Sequence, residues 1–381
     1  MEKTKKITIQ DVARFANVSA GTIDRVIHNR GRVSLEKKKK VEEAIRKLNF
    51  NPNILARTLA LGNRFNICVL IPAPETSGHY WSIPPEGIDQ AIAMYTDYGF
   101  SVKYYLYNLF SETTFVNQTE EIFNSEPDGV VLAPLFLRES TIFVRKLREK
   151  GIPYIFIDAD IPGQESLSYI GPDVKRSGYI AGKLLNSVIK KDGDLLVVNM
   201  VKGFRNASAL RRMETGFKKY FNDNRPYDNI KIHTLTINST HKQIVHKELA
   251  GFYGEHSNIK GVFVTNSKAF LVSGYHLANK MDIRLAGFDL VEENIIHLKN
   301  GGIDYIISQS PIQQGARAIQ SLFEFFIIKN IPPATQYVPL DIIIRENLDF
   351  YLKFYQKSKV LQNNKFKSAS EDSPVITDKR L

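Results

Sequence analysis

Three polar residues each close a short apolar run: Asp158 after Tyr154–Ile157, Asn266 after Gly261–Val264 and Asp289 after Leu285–Phe288. Carboxylates and amides in such places hydrogen-bond paired hydroxyls, while aromatic faces stack on the C–H surface of a sugar ring. Tyr80 and Trp81 stand in the loop between residues 72 and 85, and Phe136 follows the run Gly129–Leu132. Trp81, the sole tryptophan, would serve as a platform at a cleft rim; packing beneath its own loop is the alternative. A second chemistry lies near the N-terminus. Ala20, Gly21 and Arg25 fall at the start of a short helix that follows another across a tight turn, and a guanidinium there can bond guanine O6 and N7 together. Ala20 and Gly21 permit close approach or a thymine methyl contact. A solvated surface arginine is the plainer alternative for Arg25.

The elements that position these groups are of two kinds. In the first fifty residues Thr8 can cap a helix, with Asp11 completing a capping box. Ile9, Val12, Ala13 and Ala16 share one face; Val18, Ile23, Val26 and Ile27 pack back on it, and Ser34 caps a third helix with Val41, Ala44, Ile45 and Leu48 inside. Helices this short need one shared core. From residue 66 the pattern changes to runs typical of buried parallel strands, beginning with Ile67-Cys-Val-Leu-Ile71 and recurring at 102–106, 129–132, 154–157, 195–198, 261–264, 285–288 and 303–307. Amphipathic stretches such as Gly87–Tyr98 and Gly178–Lys190 fit between them, so right-handed crossovers are expected. About ten strands over this length divide better into two lobes than one sheet. In doubly wound sheets ligands bind beyond the carboxyl ends of the strands.

Charge separates the same regions. The net charge is +11, yet residues 1–64 carry +9, residues 353–381 carry +4, and the stretch between them −2. A basic head on a near-neutral body is the footprint of nucleic-acid binding, with Lys5, Lys6 and Arg32 as phosphate contacts. Lys37–Lys40 read mostly as a solvated helix face. The chain has no apolar run long enough for a membrane span, and its charged start has no apolar stretch behind it, so a cytoplasmic location without membrane contact is expected. Its one cysteine, Cys68, reads as a buried structural thiol. No nucleophile elbow, phosphate loop or zinc-ligand spacing is present, so no catalytic residue, metal or cofactor is expected. Asp158, Asp160 and Asp173 could pair for glycosidic chemistry, but nothing favours that over ligand hydrogen bonding. The polar tail 353–381 lacks periodicity and is expected to be disordered.

The run I-x-D-V-A from Ile9, N-V-S-x-x-T from Asn17, L-N-F-x-P-N from Leu48 and A-x-x-L-A from Ala56 resembles the lactose/galactose repressor (LacI/GalR) family. Ile170-Gly-Pro-Asp173, Gly216-Phe217, Ala286-Gly-Phe-Asp289 and Gln309-Ser-Pro carry the likeness, more loosely, along the body. The resemblance implies an all-α helix-turn-helix headpiece (1–50), a hinge helix (51–63), and an α/β periplasmic-binding-protein-like body of two doubly wound parallel-sheet lobes (64–352). Lobe 1 would comprise about 64–169 and 309–337, and lobe 2 about 170–308 and 338–352. It adds Thr8, Ser19, Thr22 and Asn53 to the DNA-facing residues. It also makes Leu59 a minor-groove wedge and Ala56 the small residue facing the groove floor, where a plain core leucine is the alternative for Leu59. Gln309 joins the ligand residues. The family's cleft arginine falls where this chain has Met213, and a shift of one residue would bring in Arg212. Asp24 stands where the family has serine, so the family's operator sequence does not transfer. The implied protein is a homodimeric transcription regulator whose operator affinity a sugar or sugar derivative controls. The alternative is a solute-binding protein of a transport system, against which the basic head argues.

Overall fold

The computed structural model describes residues 7–27, 31, 33–48, 64–74, 80–189, 193–200, 207–224 and 230–353. The expected hinge helix, with Asn53, Ala56 and Leu59, lies outside the described residues, as do Lys5, Lys6, Arg32 and nearly all of the tail.

The head is three helices: α1 (Ile9–Ala16), α2 (Ala20–Ile27) and α3 (Leu35–Lys47). Thr8 Oγ1 accepts from the Asp11 amide while the Asp11 carboxylate accepts from the Thr8 amide, a complete capping box. Asn17 ends α1 in the left-handed region, φ 52°, which asparagine tolerates better than most residues. Val12, Ala13, Ala16, Ile23, Val41 and Ala44 form the common core, with Val18, Val26, Ile27, Ile45 and Leu48 packed around it. Two expectations need correction. Ile9 is 36% exposed and stands outside that core. Ser34 holds the cap position of α3, but its side chain makes no capping bond.

The body contains two sheets of six strands each. In the first, the order is β11 (Thr335–Tyr337), β5 (Ser168–Gly171), β4 (Tyr154–Ile157), β3 (Gly129–Leu132), β1 (Phe65–Pro72), β2 (Phe100–Tyr107). In the second it is β12 (Asp341–Ile343), β10 (Tyr305–Ser308), β9 (Arg284–Phe288), β8 (Ile259–Val264), β6 (Asp194–Met200), β7 (Ile232–Ile237). Every pairing is parallel except β12 with β10. Central strands such as β1 are buried on both faces because helices cover both sides. The apolar run at 102–106 belongs instead to an edge: β2 alternates buried and exposed positions, leaving Leu106 44% exposed.

Helices α4 (Pro84–Tyr95), α5 (Glu112–Asn124), α6 (Leu137–Glu149) and α12 (Pro311–Phe323) accompany the first sheet; α7 (Val174–Val188), α8 (Ala207–Asn224), α9 (Lys242–Glu255), α10 (Ala269–Ala278) and α11 (Glu292–Lys299) accompany the second. Helices α4 and α12 meet at Gly87, where an added Cβ would lie 1.8 Å from the Ile312 carbonyl oxygen. Helices α7 and α8 meet at Gly178, where it would lie 1.9 Å from the Met213 oxygen. Only glycine permits either approach. Cys68 is fully buried in β1, and burial pushes its thiol up.

The chain passes between sheets three times: after β5, after β10, and between β11 and β12. The first passage falls beyond Gly171, since β5 stays in the first sheet to that residue. The three strands of chain are tied sideways. The Val338 amide donates to the Gly171 carbonyl at 3.0 Å, and the Ser310 hydroxyl to the Pro339 carbonyl at 3.1 Å.

Candidate functional site

The carboxyl ends of the two sheets face one cavity of about 260 Å³, near the lower end of the ~300–1,000 Å³ typical of small-molecule sites. The first lobe contributes Tyr80, Trp81, Leu109, Phe110, Leu135 and Asp158 to its wall; the second contributes Met200, Met213, Thr240, Thr265, Asn266, Lys268, Phe288 and Asp289, with Gln309 from a passage between the sheets.

Asp158 and Asp289 occupy equivalent places. Each follows a strand, β4 or β9, and each adopts a left-handed backbone, with φ 67° and 66°. The Asp158 amide bonds the Ile170 carbonyl and the Asp289 amide the Ile307 carbonyl, so both turn out of the ladder in the same manner. Non-glycine residues with positive φ carry strain, which concentrates at functional positions.

A chain of hydrogen bonds joins the two carboxylates. Tyr80 Oη donates to Asp158 Oδ1 at 2.8 Å. Gln314 Nε2 reaches Tyr80 Oη at 3.4 Å and the Gln309 carbonyl at 2.8 Å, while Gln314 Oε1 accepts from the Asp158 amide at 2.9 Å. Gln309 Nε2 then approaches Asp289 Oδ2 at 3.4 Å. The other oxygen, Asp289 Oδ1, is buried and has no partner among the described residues. Burial pushes the Asp158 carboxyl up to about 6, opposed by the Tyr80 hydroxyl. Burial also holds Asp289 well above the ordinary range, reinforced by the charge of Asp158 and opposed by Gln309. Tyr80 is raised well above its usual value by burial and then by the two carboxylates.

Tyr80 and Trp81 both line the cavity and are nearly buried, their rings edge to face at 5.0 Å. Trp81 therefore both lines the cleft and belongs to the buried core of the first lobe. Asn266 reaches the wall, but its amide is committed to backbone, donating to the Met200 carbonyl at 2.7 Å and accepting from the Lys268 amide at 3.1 Å. Two expected ligand residues lie elsewhere. Phe136 is 6% exposed and packs against Tyr107 and Phe115, so it belongs to the core of the first lobe. Arg212 is absent from the cavity wall; its Nη2 pairs with Asp160 Oδ1 at 2.5 Å, bridging the lobes, while Met213 faces the cavity. Asp173, named among the sequence's carboxylates, caps α7 through the Arg176 amide. Gln314 was missed. It sits on α12 with no exposure, and no local signal singled it out, since Ser321 is also buried on that helix.

In the head, Ala20, Gly21 and Arg25 are exposed on α2. Ser19 Oγ accepts from the Thr22 amide at 3.2 Å and bonds its hydroxyl at 3.0 Å, fixing the first turn of that helix. Thr8 is engaged by Asp11, so its hydroxyl already has a partner. Among the described residues no group of three or more His, Cys, Asp or Glu could hold a metal, and no helix is long and apolar enough to cross a membrane.

Two parallel-sheet lobes around a solute-sized cleft, carried with a helix-turn-helix, define the architecture of a periplasmic-binding-protein-like body with a helix-turn-helix head. A model of the periplasmic binding protein domain matches residues 69–326, and a model of bacterial regulatory proteins of the lacI family matches residues 8–53. The chain belongs to the LacI family. It is 25% identical over 206 residues to the protein assigned as the HTH-type transcriptional repressor ExuR of Bacillus subtilis, covering 53% of this chain and 57% of that one. It is 28% identical over 203 residues to catabolite control protein A of Streptococcus mutans, covering 49% and 58%. The chain thus spans just over half the length of these curated relatives. The crystal structure of a chain assigned as a LacI transcriptional regulator from Bacteroides fragilis superposes with a TM-score of 0.70 at 28% identity, over 76% of this chain and all (100%) of that one. GanP, a glucose-galactose binding protein from Geobacillus stearothermophilus, shares the fold at 16% identity, with a TM-score of 0.67 over 75% of this chain and 99% of its own.

Proposed function

We propose that this protein is a dimeric, sequence-specific transcription regulator whose affinity for operator DNA is set by a small sugar or sugar derivative bound between the lobes. One observation carries the reading: a single chain holds both a helix whose outer first turns are free for a major groove and a cavity whose polar residues come from two separate lobes. The relative named as a transcriptional repressor supports the first half, and the sugar-binding fold relative the second.

Arg25 reads bases in this proposal, with Ala20 and Gly21 admitting close approach to the groove. Ser19 and Thr22 hold the helix start at the backbone. Tyr80, Trp81, Asp158, Asp289 and Gln309 meet the ligand. Because they belong to different lobes, the ligand binds one relative pose of the lobes more tightly than another, and only that difference can alter DNA affinity.

The test begins with selection of duplexes from a random pool by the full chain. An enriched, roughly palindromic site is expected. Binding should fall steeply with salt, since phosphate neutralisation supplies much of the affinity. Arg25→Ala should abolish discrimination between that site and a scrambled duplex while ligand binding survives. Failure to enrich any sequence would sink the proposal.

A further inference from the structure

Resting on the proposed function, the charge balance of the cleft narrows the ligand class. Asp158 and Asp289 approach one cavity from opposite lobes, through the linked Tyr80, Gln314 and Gln309. Among the described residues the only base on the wall is Lys268, whose ammonium lies over the Phe270 ring at 5.8 Å from its centroid. The arginine nearest in sequence to the cavity residue Met213 is already paired: Arg212 is held by Asp160. Asp289 Oδ1 is enclosed with no donor to meet it among the described residues.

A neutral sugar could bond both carboxyls through hydroxyls, yet it would bring them no counter-charge, and among the described residues the one base on the wall, Lys268, lies over the Phe270 ring instead of pairing with either. Buried charges are normally paired, because desolvation of an ion is not repaid by neutral donors alone. A protonated nitrogen supplies the donor that Asp289 Oδ1 lacks and offsets both carboxylates together. Tyr80 and Trp81 line the same wall, and aromatic rings suit a neighbouring cation better than an anion.

We propose that the ligand is a hydroxylated ring bearing a protonated amine, an amino sugar in the simplest case, with its nitrogen held between Asp158 and Asp289. Anionic sugars, including phosphorylated ones and sugar acids, are repelled by the same pair.

The single tryptophan lies in the cleft and gives the readout. The full chain is titrated, with Trp81 fluorescence monitored, against glucosamine, galactosamine and mannosamine. Each is matched to its parent hexose, its N-acetyl derivative and its 6-phosphate. At least one amine should saturate and bind at least about tenfold more tightly than its three matched forms, which an ion pair removed from water readily supplies. Asp289→Asn, an isosteric change that keeps the left-handed backbone accessible, should erase the preference for the amine over its parent hexose. Asp158→Asn should act in the same direction. If one of the neutral sugars or phosphates saturates as well as its amine, or if none of the amines saturates, the inference is overturned. In the first case a neutral sugar that also shifts operator binding leaves the regulator proposal standing, so the two failures are distinguishable.

Discussion

The two lobes are built on one plan and finished differently. Their strand orders correspond position by position, each carries an aspartate in the left-handed region after its third strand from the shared edge, and each packs two helices through a glycine. They part company in what surrounds the aspartate. In the first lobe the Asp158 carboxylate accepts from the Tyr80 hydroxyl, and its amide donates to Gln314 Oε1. In the second, Asp289 has one long contact and one enclosed oxygen without a partner. The difference shows that a repeated backbone can supply two chemically unequal sites. One half offers a settled carboxylate, and the other an oxygen without a partner among the described residues, which the proposed ligand would meet.

The backbone equivalence can be broken most severely at the glycines. Gly87→Ala and Gly178→Ala each drive a methyl onto a carbonyl oxygen within 2 Å of where it must sit. Each should therefore destabilise the protein by about 3 kcal/mol or more. Urea unfolding would check this, and a loss confined to one of the two would end the claim that the helix pairs are equivalent.

The chemical inequality is sharpened by substituting the aspartates. Asp289→Ala should weaken ligand binding by about two orders of magnitude, since it removes a partner to a buried polar group of the ligand. DNA affinity without ligand should be unchanged. Calorimetric titration showing normal affinity would remove Asp289 from the site.

A smaller effect concerns pH. Asp158 titrates near 6 in the folded chain against about 3.8 unfolded, so the folded state holds its proton more tightly. Stability therefore declines as pH rises from about 4 to about 6, and the cost persists above that window. Asp158→Asn should flatten this limb when Tm is followed across it. Asp289→Asn should remove a cost that begins to build at the same pH, but there the charge of Asp158 adds to burial in raising the carboxyl. Identical profiles for both variants would erase the distinction between the lobes.

Smallest is the bridge between them. Arg212→Met removes a half-exposed ion pair and should change stability by at most about 1 kcal/mol. Small-angle scattering should nevertheless show a more open ligand-free body. An unchanged radius would mean that the pair does not hold the lobes together.

Much of the head and of the body's plan was legible because its signals are local. The Thr8–Asp11 pair lies within one helical turn, and the apolar runs at 67–71, 154–157 and 285–288 need only flanking helices to be buried. Strand ends also pointed to Asp158 and Asp289, since a residue just beyond a parallel strand must leave the sheet at the lobe's mouth. What failed was direction. Phe136 follows a strand too, yet its ring turns into the cluster with Tyr107 and Phe115. Successive residues on a helix differ by about 100° in direction, so Met213 faces the cavity while Arg212 turns to Asp160. Gln314 was illegible because its partners, Tyr80 and Asp158, are distant in sequence. Nothing in a helical pattern announces a polar side chain that braces two far-off segments.

The lateral ties among the three passages between the sheets have a mechanical consequence. With Val338 fastened to Gly171 and Ser310 to Pro339, the crossing segments act as a single flat strap and resist sliding or twisting independently. A strap of that kind bends easily about one axis only. In the proposed regulator, ligand occupancy would thereby be converted into an angle, a quantity that a rigid lever can transmit over a distance no side chain could span.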